Sequence, residues 1–541
     1  MRSKLALGLS VLACATAITK AAAESKVLYV DKSAPAGGDG SDWGHAFRDV
    51  QVAIDAVRAG SFGTYITILE FRIAQGDYTP DRASGDRSAS FDFSFGVTSA
   101  YAMYLQGSFA GLAGPNPDVQ DFVRTRTIFS GDLAGNDTAD RSTRSDNSHV
   151  IMRLTKPDTY AFVNGISIRG AFTDPSEGWT GESGGLRLEN GIPSIGDCYF
   201  ANATLEDNQA IGDGGAAWSN WRATRFGNCV FRRNVSVAGR GGAFAHFPIN
   251  LNSNYSSADA TIYQENRAAQ GGALFSPGRM ILAGCTFADN IATERGGAIA
   301  GGDLRAVGSL FFRNRAPESA AMFLSTSLEL YHCTVVAHSL SNAAVIDGTG
   351  PLTLDRMLLW DNQTVPNRPL IRFATIGSWS KATDCFFEGG TSFISVPSGA
   401  LEFQNVSGTD PKFVSPWLGG ATDDSWKMWN YRLRLDSPAI QRGQNRYFYD
   451  ITDLDGQFMQ GSGENKTADL GCYYSDSRVC FADLAGREPE VDDTDFELFA
   501  RAYAQGIAPK ADMRADFNRD GRVDDADFAI FSVAYDALLC P

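Results

Sequence analysis

The chain has 541 residues, with 47 Lys and Arg against 63 Asp and Glu, a formal charge of −16, 43% apolar and 20% charged residues, and 56 glycines. These values exclude a disordered acidic chain, which carries fewer apolar residues and more charge. They also exclude a basic nucleic-acid binder, because phosphate contacts need an excess of Lys and Arg.

Residues 1–23 read as a secretory signal. Arg2 and Lys4 form a basic start, Leu5 to Ile18 an apolar stretch, and Ala21-Ala22-Ala23 a small-residue cleavage site before Glu24. Removing them takes away Arg2, Lys4 and Lys20, so the mature charge is 44 − 63 = −19. The apolar run is too short to cross a bilayer, and no later run reaches about 18 apolar residues. The expected location is secreted, extracellular or cell-surface, where disulfides persist. Val27 to Asp31 follows as a strand and Ala34 to Asp42 as a glycine-rich loop. Phe47, Val50, Ala53, Ile54 and Val57 then fall at helical spacing. A helix here would plug the open end of a stack, because repeat structures must cap their cores.

The middle of the chain repeats. Aromatic or Leu, two residues, then Asn recurs as Leu205…Asn208, Phe231…Asn234, Tyr263…Asn266, Phe287…Asn290, Phe311…Asn314 and Leu359…Asn362. Gly-Gly-Ala follows most of these, at Gly214, Gly241, Gly271 and Gly296, with a weaker copy at Ala320-Ala321-Met322. Two residues before each aromatic stands a small or apolar residue. From Thr261 through Cys285, Ser309 and Cys333 to Met357 this position steps by 24 residues each time. Such a period marks a solenoid. No helical period accompanies it, so an all-β, right-handed parallel β-helix with turns of about 24 residues is predicted.

In that fold turns rise about 4.8 Å each, and residues two apart on a strand face the same way. Phe287 and Cys285 then point inward. Asn290 sits at a corner, where asparagine tolerates a left-handed backbone and can stack into an amide ladder. Gly-Gly permits positive φ at the next corner. Cysteines two turns apart lie about 9.6 Å apart on that rise, beyond the ~7 Å reach of a disulfide. Cys229, Cys285 and Cys333 should therefore be free and buried. Cys198 fits two registers, one of which reaches Cys229. Asp410 to Val414 and Tyr431 to Gly443 read as closing strands and turns.

Tyr29-Val30-Asp31, Gly37-Gly38-Asp39-Gly40, Ser130-Gly131-Asp132, Ser437-Pro438-Ala439-Ile440 and Asp469-Leu470-Gly471 resemble secreted right-handed β-helix proteins of the pectin-lyase-like superfamily. The FxxN and GGA motifs resemble chlamydial polymorphic outer-membrane-protein repeats. The resemblance spans roughly residues 26–475 and implies fold more than activity, since that superfamily holds lyases, hydrolases, adhesins and scaffolds. The β-helix unit is expected over 24–475, with 24–60 as its N-terminal strand and capping helix.

Residues 476–541 form the second unit, with 15 acids and 7 bases. Asp516 to Asp527 fits a twelve-residue calcium loop. Asp516, Asn518, Asp520, Asp524 and Asp527 supply side-chain oxygens, Arg522 supplies its carbonyl, and Gly521 permits the turn. Aspartate at the twelfth place resembles dockerin modules. The unit is duplicated, Val491 to Phe496 matching Val523 to Phe528 at a step of 32, each followed by a short helix. Asp483 to Asp495 is one residue too long and holds Ala485 and Arg487 at oxygen positions, so that loop is degenerate. The dockerin resemblance implies a cohesin-like partner, which the degenerate loop weakens. Cys480 and Cys540 bracket the module as a candidate disulfide, with Cys472–Cys480 as the rival pairing.

Catalytic signals are sparse. Stacking the repeats gives a column Asp207, Arg233, Glu265, Asp289, Arg313, Asp361 and another of Asp213, Arg240, Gln270, Arg295. Either lines a groove or forms a ladder of surface ion pairs, and the second is expected. The five histidines show no metal spacing, and no Gly-x-Ser-x-Gly or Walker loop is present. Of the tryptophans that could stack on sugars, packing explains most. The expected function is a non-catalytic β-helix that binds a polysaccharide or cell-envelope partner, as adhesin or scaffold, with a calcium-binding tail. The alternative is a polysaccharide lyase or glycoside hydrolase acting on an acidic polysaccharide such as pectate.

Overall fold

The computed structural model describes residues 24–60, 66–95, 102–138, 141–155, 160–177, 181, 183–189, 197–248, 250–251, 254–338, 344–362, 368–415, 430–433, 437–439, 443–444, 467–468, 470–472, 484, 491–506, 515 and 523–537. The predicted signal at 1–23 lies outside them.

The chain is a parallel β-helix. One turn runs from Leu274–Ala283, which spans two faces with an irregularity between Ser276 and Arg279, through Thr286–Ala288 to Ile291–Arg295. The next turn begins at Ile299. On the first face Leu274 pairs Ile299, then Met322, Ile346 and Ile371. On the second, Leu282 pairs Ala306, then Leu330, Leu354 and Ala382. On the third, Phe287 pairs Phe311, then Val335, Leu359 and Phe387. All these pairings are parallel. The first two faces merge into a 21-stranded sheet, the third has 11 strands, and a 4-stranded sheet lines the remaining corner.

Strand alternation sends one residue of each pair into a single continuous core. Phe231, Tyr263, Phe287 and Phe311 stack there at 5.0, 4.7 and 4.8 Å between ring centroids, with planes within 12°. Each fully buried ring stabilises the stack by about 1.5–3 kcal/mol relative to exposure. Cys229, Cys285 and Cys333 are free and buried in the adjoining column, as are Cys385 and, elsewhere, Cys198. Between them, Thr261 Oγ1 and Ser309 Oγ accept the Cys229 and Cys285 backbone N–H at 3.4 and 3.2 Å. Cys198 lies on the second face opposite Ala161 and Thr224, which settles its register away from Cys229.

The asparagines form the predicted ladder, but they do not carry the left-handed backbone. The residue before each one does: φ is 57° at Asp207, 54° at Arg233, 56° at Glu265, 55° at Asp289 and 51° at Arg313. This frees each asparagine to turn inward. Nδ2 of Asn208, Asn234, Asn266 and Asn290 donates to Oδ1 of the next rung at 2.9–3.0 Å. The same Oδ1 atoms accept backbone N–H groups, and Nδ2 also reaches a backbone carbonyl. The first glycine of each Gly-Gly-Ala, at Gly214, Gly241, Gly271 and Gly296, has positive φ.

Helix α1 (Val50–Arg58) is capped by Asp49, whose carboxylate accepts N–H from Gln51 and Val52. Val50, Ala53, Ile54 and Val57 are buried against the N-terminal turns, including Leu28 and Phe91. Phe47 lies outside the helix, bridged to Val30.

Phe413–Ser415 pairs antiparallel with Asn430–Leu433. Instead of closing the end of the stack, this segment covers the outside of the third face, packing Phe413, Tyr431, Leu433, Leu470 and Cys472 on Leu310, Phe312, Val336 and Leu358. In the tail, α2 (Asp493–Gln505) and α3 (Asp525–Ala537) share a separate core, with Phe499 stacked on Phe531 at 4.8 Å.

Candidate functional site

The charged columns are ladders of ion pairs. Arg233 binds Asp207, Arg240 grips Asp213 at 3.0 and 2.8 Å, and Arg313 meets Asp289 at 2.8 Å. Arg141 and Arg144 add to Asp207 from a neighbouring loop. Asp207, Asp213 and Asp289 therefore each have an arginine one turn away, whereas Asp361 accepts a hydrogen bond from Tyr431 and faces Glu388 instead.

A different surface emerges on the outside of the second face. Strands Ala102–Phe109, Tyr160–Asn164, Asp197–Ala201, Ala223–Gly227 and Tyr255–Asp259 lie side by side in parallel register. Leu105, Val163, Phe200, Phe226 and Ala258 point inward and are buried. Alternation then forces Tyr104, Phe162, Tyr199 and Arg225 outward in one column. The three rings stand 5.9 and 5.4 Å apart, the Phe162–Tyr199 pair nearly parallel at 16°. Tyr160, two residues from Phe162, is 51% exposed.

Beside the rings runs a column of amides. Asn164 Nδ2 donates to Gln106 Oε1 at 3.0 Å, Asn202 Nδ2 to Asn164 Oδ1 at 2.7 Å, and Asn228 Nδ2 to Asn202 Oδ1 at 2.6 Å. Asn202 and Asn228 hold left-handed corners, φ 51° and 50°, a conformation asparagine tolerates.

The far end of the surface is polar. Asp197 accepts from Arg222 Nε and Nη2 at 2.9 and 2.7 Å and from Arg225 at 3.3 Å. Arg225 also donates to the Tyr255 hydroxyl and lies 5.3 Å from its ring centroid. Gly227 leaves room for its neighbours: a Cβ there would come within 2.1 Å of the Tyr199 hydroxyl oxygen and 3.2 Å of an Asp259 carboxylate oxygen. Burial, and then the Asp259 carboxylate, raise the Tyr199 phenol above its ordinary range.

The tryptophans that could stack on sugars divide. Trp218 and Trp221 are buried, Trp379 is 93% exposed, and Trp179, Trp417, Trp426 and Trp429 lie outside the described residues. Of the residues predicted to bind calcium, Asp516, Asn518, Asp520 and Arg522 lie outside them too, as do Cys480 and Cys540 of the predicted disulfide. Asp524 and Asp527 sit at the start of α3, where Asp527 Oδ2 accepts the Asp524 N–H at 3.0 Å. Asp495 makes the same 3.0 Å bond to Asp492 in the degenerate copy. That bond is therefore a helix cap common to both. The two acids offer only hard oxygen donors at a helix start, which fits calcium. Among the described residues no group of three or more His, Cys, Asp or Glu converges to hold a metal.

No known protein family matches the chain, and neither does any curated relative. Among solved structures it is similar to pectate lyase Pel9A, at 13% identity and TM-score 0.38 over 84% of this chain and 98% of that one. It is also similar to the pectin methylesterase from Aspergillus niger in deglycosylated form, at 11% identity and TM-score 0.24 over 75% and 97%. At these values no residue role carries over from either protein.

Proposed function

We propose that the chain is a secreted glycan-binding β-helix, non-catalytic, presenting the outer second face to a polysaccharide or a cell-envelope glycan. The observation behind this reading is the pair of columns, Tyr104–Phe162–Tyr199 and Gln106–Asn164–Asn202–Asn228, side by side on one face. Aromatic surface beside amide hydrogen-bonding groups is the lining that orients sugars. The tail is proposed to bind calcium through Asp516, Asn518, Asp520, the Arg522 carbonyl, Asp524 and Asp527, and to offer α2 and α3 to a cohesin-like partner. A glycan array probed with the secreted chain tests the first proposal, with Tyr199→Ala as the control that should darken the signal.

A polysaccharide lyase is the second reading. It rests on the Tyr199 hydroxyl and an Asp259 carboxylate oxygen standing together over Gly227, with the Arg225 cation acting on the same phenol. In such an enzyme a base removes the proton α to a uronate carboxyl while a cation stabilises the charge that develops. Release of unsaturated uronides from pectate, abolished in Tyr199→Phe, would favour it.

A further inference from the structure

The molecule holds two amide ladders, and they differ in how much hydrogen-bonding capacity they leave over. In the buried ladder each inner asparagine is saturated. Asn234, for example, donates to Asn266 Oδ1 and to the Leu205 carbonyl, and its Oδ1 accepts both Asn208 Nδ2 and the Asn208 backbone N–H. In the exposed ladder the inner rungs do less. Among the described residues, Asn164 and Asn202 each spend one N–H on the preceding turn and one lone pair on the following one. A primary amide has two donors and two acceptor sites. Each inner rung, half-buried on this surface, therefore keeps one donor and one acceptor unspent.

That remainder is repeated once per turn, at the rise of about 4.8 Å set by strand stacking. A ligand that uses it must repeat at a similar distance and must offer, in each unit, one group that both donates and accepts. Adjacent hydroxyls of a hexose do this, and an extended 1,4-linked chain advances by a comparable length per sugar. The aromatic column beside the ladder gives three of the four units an apolar contact, at 5.4–5.9 Å spacing, and Arg225 takes the fourth place.

Charge decides between a neutral chain and a polyuronate. In the patch, Arg222 and Arg225 both pair with Asp197, and Asp259 adds a second acid beside Gly227. At its N-terminal side Arg72 is paired with Glu70 at 2.7 Å. Among the described residues of the patch no cation is left in excess, and the whole chain carries −16. A polyanion would be repelled.

Resting on the glycan-binding reading above, we infer that this face binds a linear, neutral, 1,4-linked hexose chain laid along the axis of the stack, one sugar to a turn. The test is calorimetry on the full secreted chain with cello- and manno-oligosaccharides of increasing length, and with polygalacturonate. Affinity for at least one neutral series should climb with each added sugar to about four, the number of amide rungs, and then level off. Asn164→Val, which keeps a good strand residue, should lose about tenfold, the worth of one hydrogen bond of this kind. Phe162→Thr should lose a similar factor, and both variants should unfold at the wild-type temperature within a few degrees. Binding of polygalacturonate alone, weakened by the same variants, would overturn the neutral-chain inference and leave glycan binding standing. Neutral binding indifferent to both variants would overturn the placement. No binding to any glycan would overturn both.

Discussion

His338 replaces an asparagine in the buried ladder, and this substitution has a measurable consequence. Asn314 Nδ2 approaches His338 Nε2 at 3.4 Å, while His338 Nδ1 meets Asn362 Oδ1 at 3.0 Å. The ladder runs one way, so Nε2 must accept and Nδ1 must carry the proton. Protonating the ring would set a second N–H against the Asn314 amide donor. Burial holds the imidazole at about 4, although the Asn362 bond pulls it upward. The unfolded ring titrates near 6.5. Between those values the unfolded chain takes up a proton that the folded chain refuses. The contribution is complete above about pH 6.5 and is lost as pH falls toward 4. A difference of about 2.5 pH units corresponds to about 3 kcal/mol. His338→Asn should remove that loss and restore a regular rung. The assay is urea unfolding of wild type and variant at pH 7.5 and 4.5. Groups that titrate in both proteins cancel in the comparison. The variant's advantage should grow by about 2–3 kcal/mol on going to pH 4.5. An advantage that does not change with pH would refute the tautomer and burial argument.

Three further outcomes follow from other sites. Asp361 is pushed up to about 7, first by burial and then by Glu388, against a hydrogen bond from Tyr431. Its contribution is therefore present at low pH and lost as pH rises from about 4 toward 7. Asp361→Asn, at a φ of 55° that asparagine tolerates, should gain stability over wild type at pH 8 but not at pH 4, as read by thermal melts. Burial pushes the Cys229, Cys285 and Cys333 thiols up to about 12, so a thiol reagent followed by peptide mapping should leave them unlabelled until denaturant is added. Labelling in the native state would contradict their placement in the core. Asp516→Ala and Asp520→Ala should each abolish calcium uptake in an equilibrium titration, and unchanged affinity would remove the proposed loop.

The inward face of the repeat was legible because it must be periodic. Cys285, Phe287 and Asn290 recur since each must meet its copy one turn on, and the stacking, the buried thiols and the amide ladder all follow from that. Three features escaped for identifiable reasons. His338 broke the FxxN pattern, although Val335-Val336-Ala337-His338 keeps its spacing. The left-handed residue is the one before the asparagine, where Asp, Arg and Glu alternate and no sequence preference marks the backbone. The outer second face is under no packing constraint, and loops of unequal length separate Tyr104, Phe162 and Tyr199, hiding their alignment. The aromatic–x–amide pairs Tyr104-Leu105-Gln106 and Phe162-Val163-Asn164 were its visible trace. Likewise the outward column of the third face turns from Gln264 to Ala288, Phe312, Val336 and Trp360, which announces the segment that covers it.

The most direct test of the proposed function is the glycan affinity of Tyr199→Ala set against that of Trp379→Ala. Tyr199 belongs to the aromatic column, whereas Trp379, at 93% exposure, is the more obvious sugar-stacking residue by type and lies outside it. A loss of about tenfold in Tyr199→Ala with Trp379→Ala at wild-type affinity is the predicted result. Loss in Trp379→Ala with Tyr199→Ala unaffected would contradict the assignment of this face.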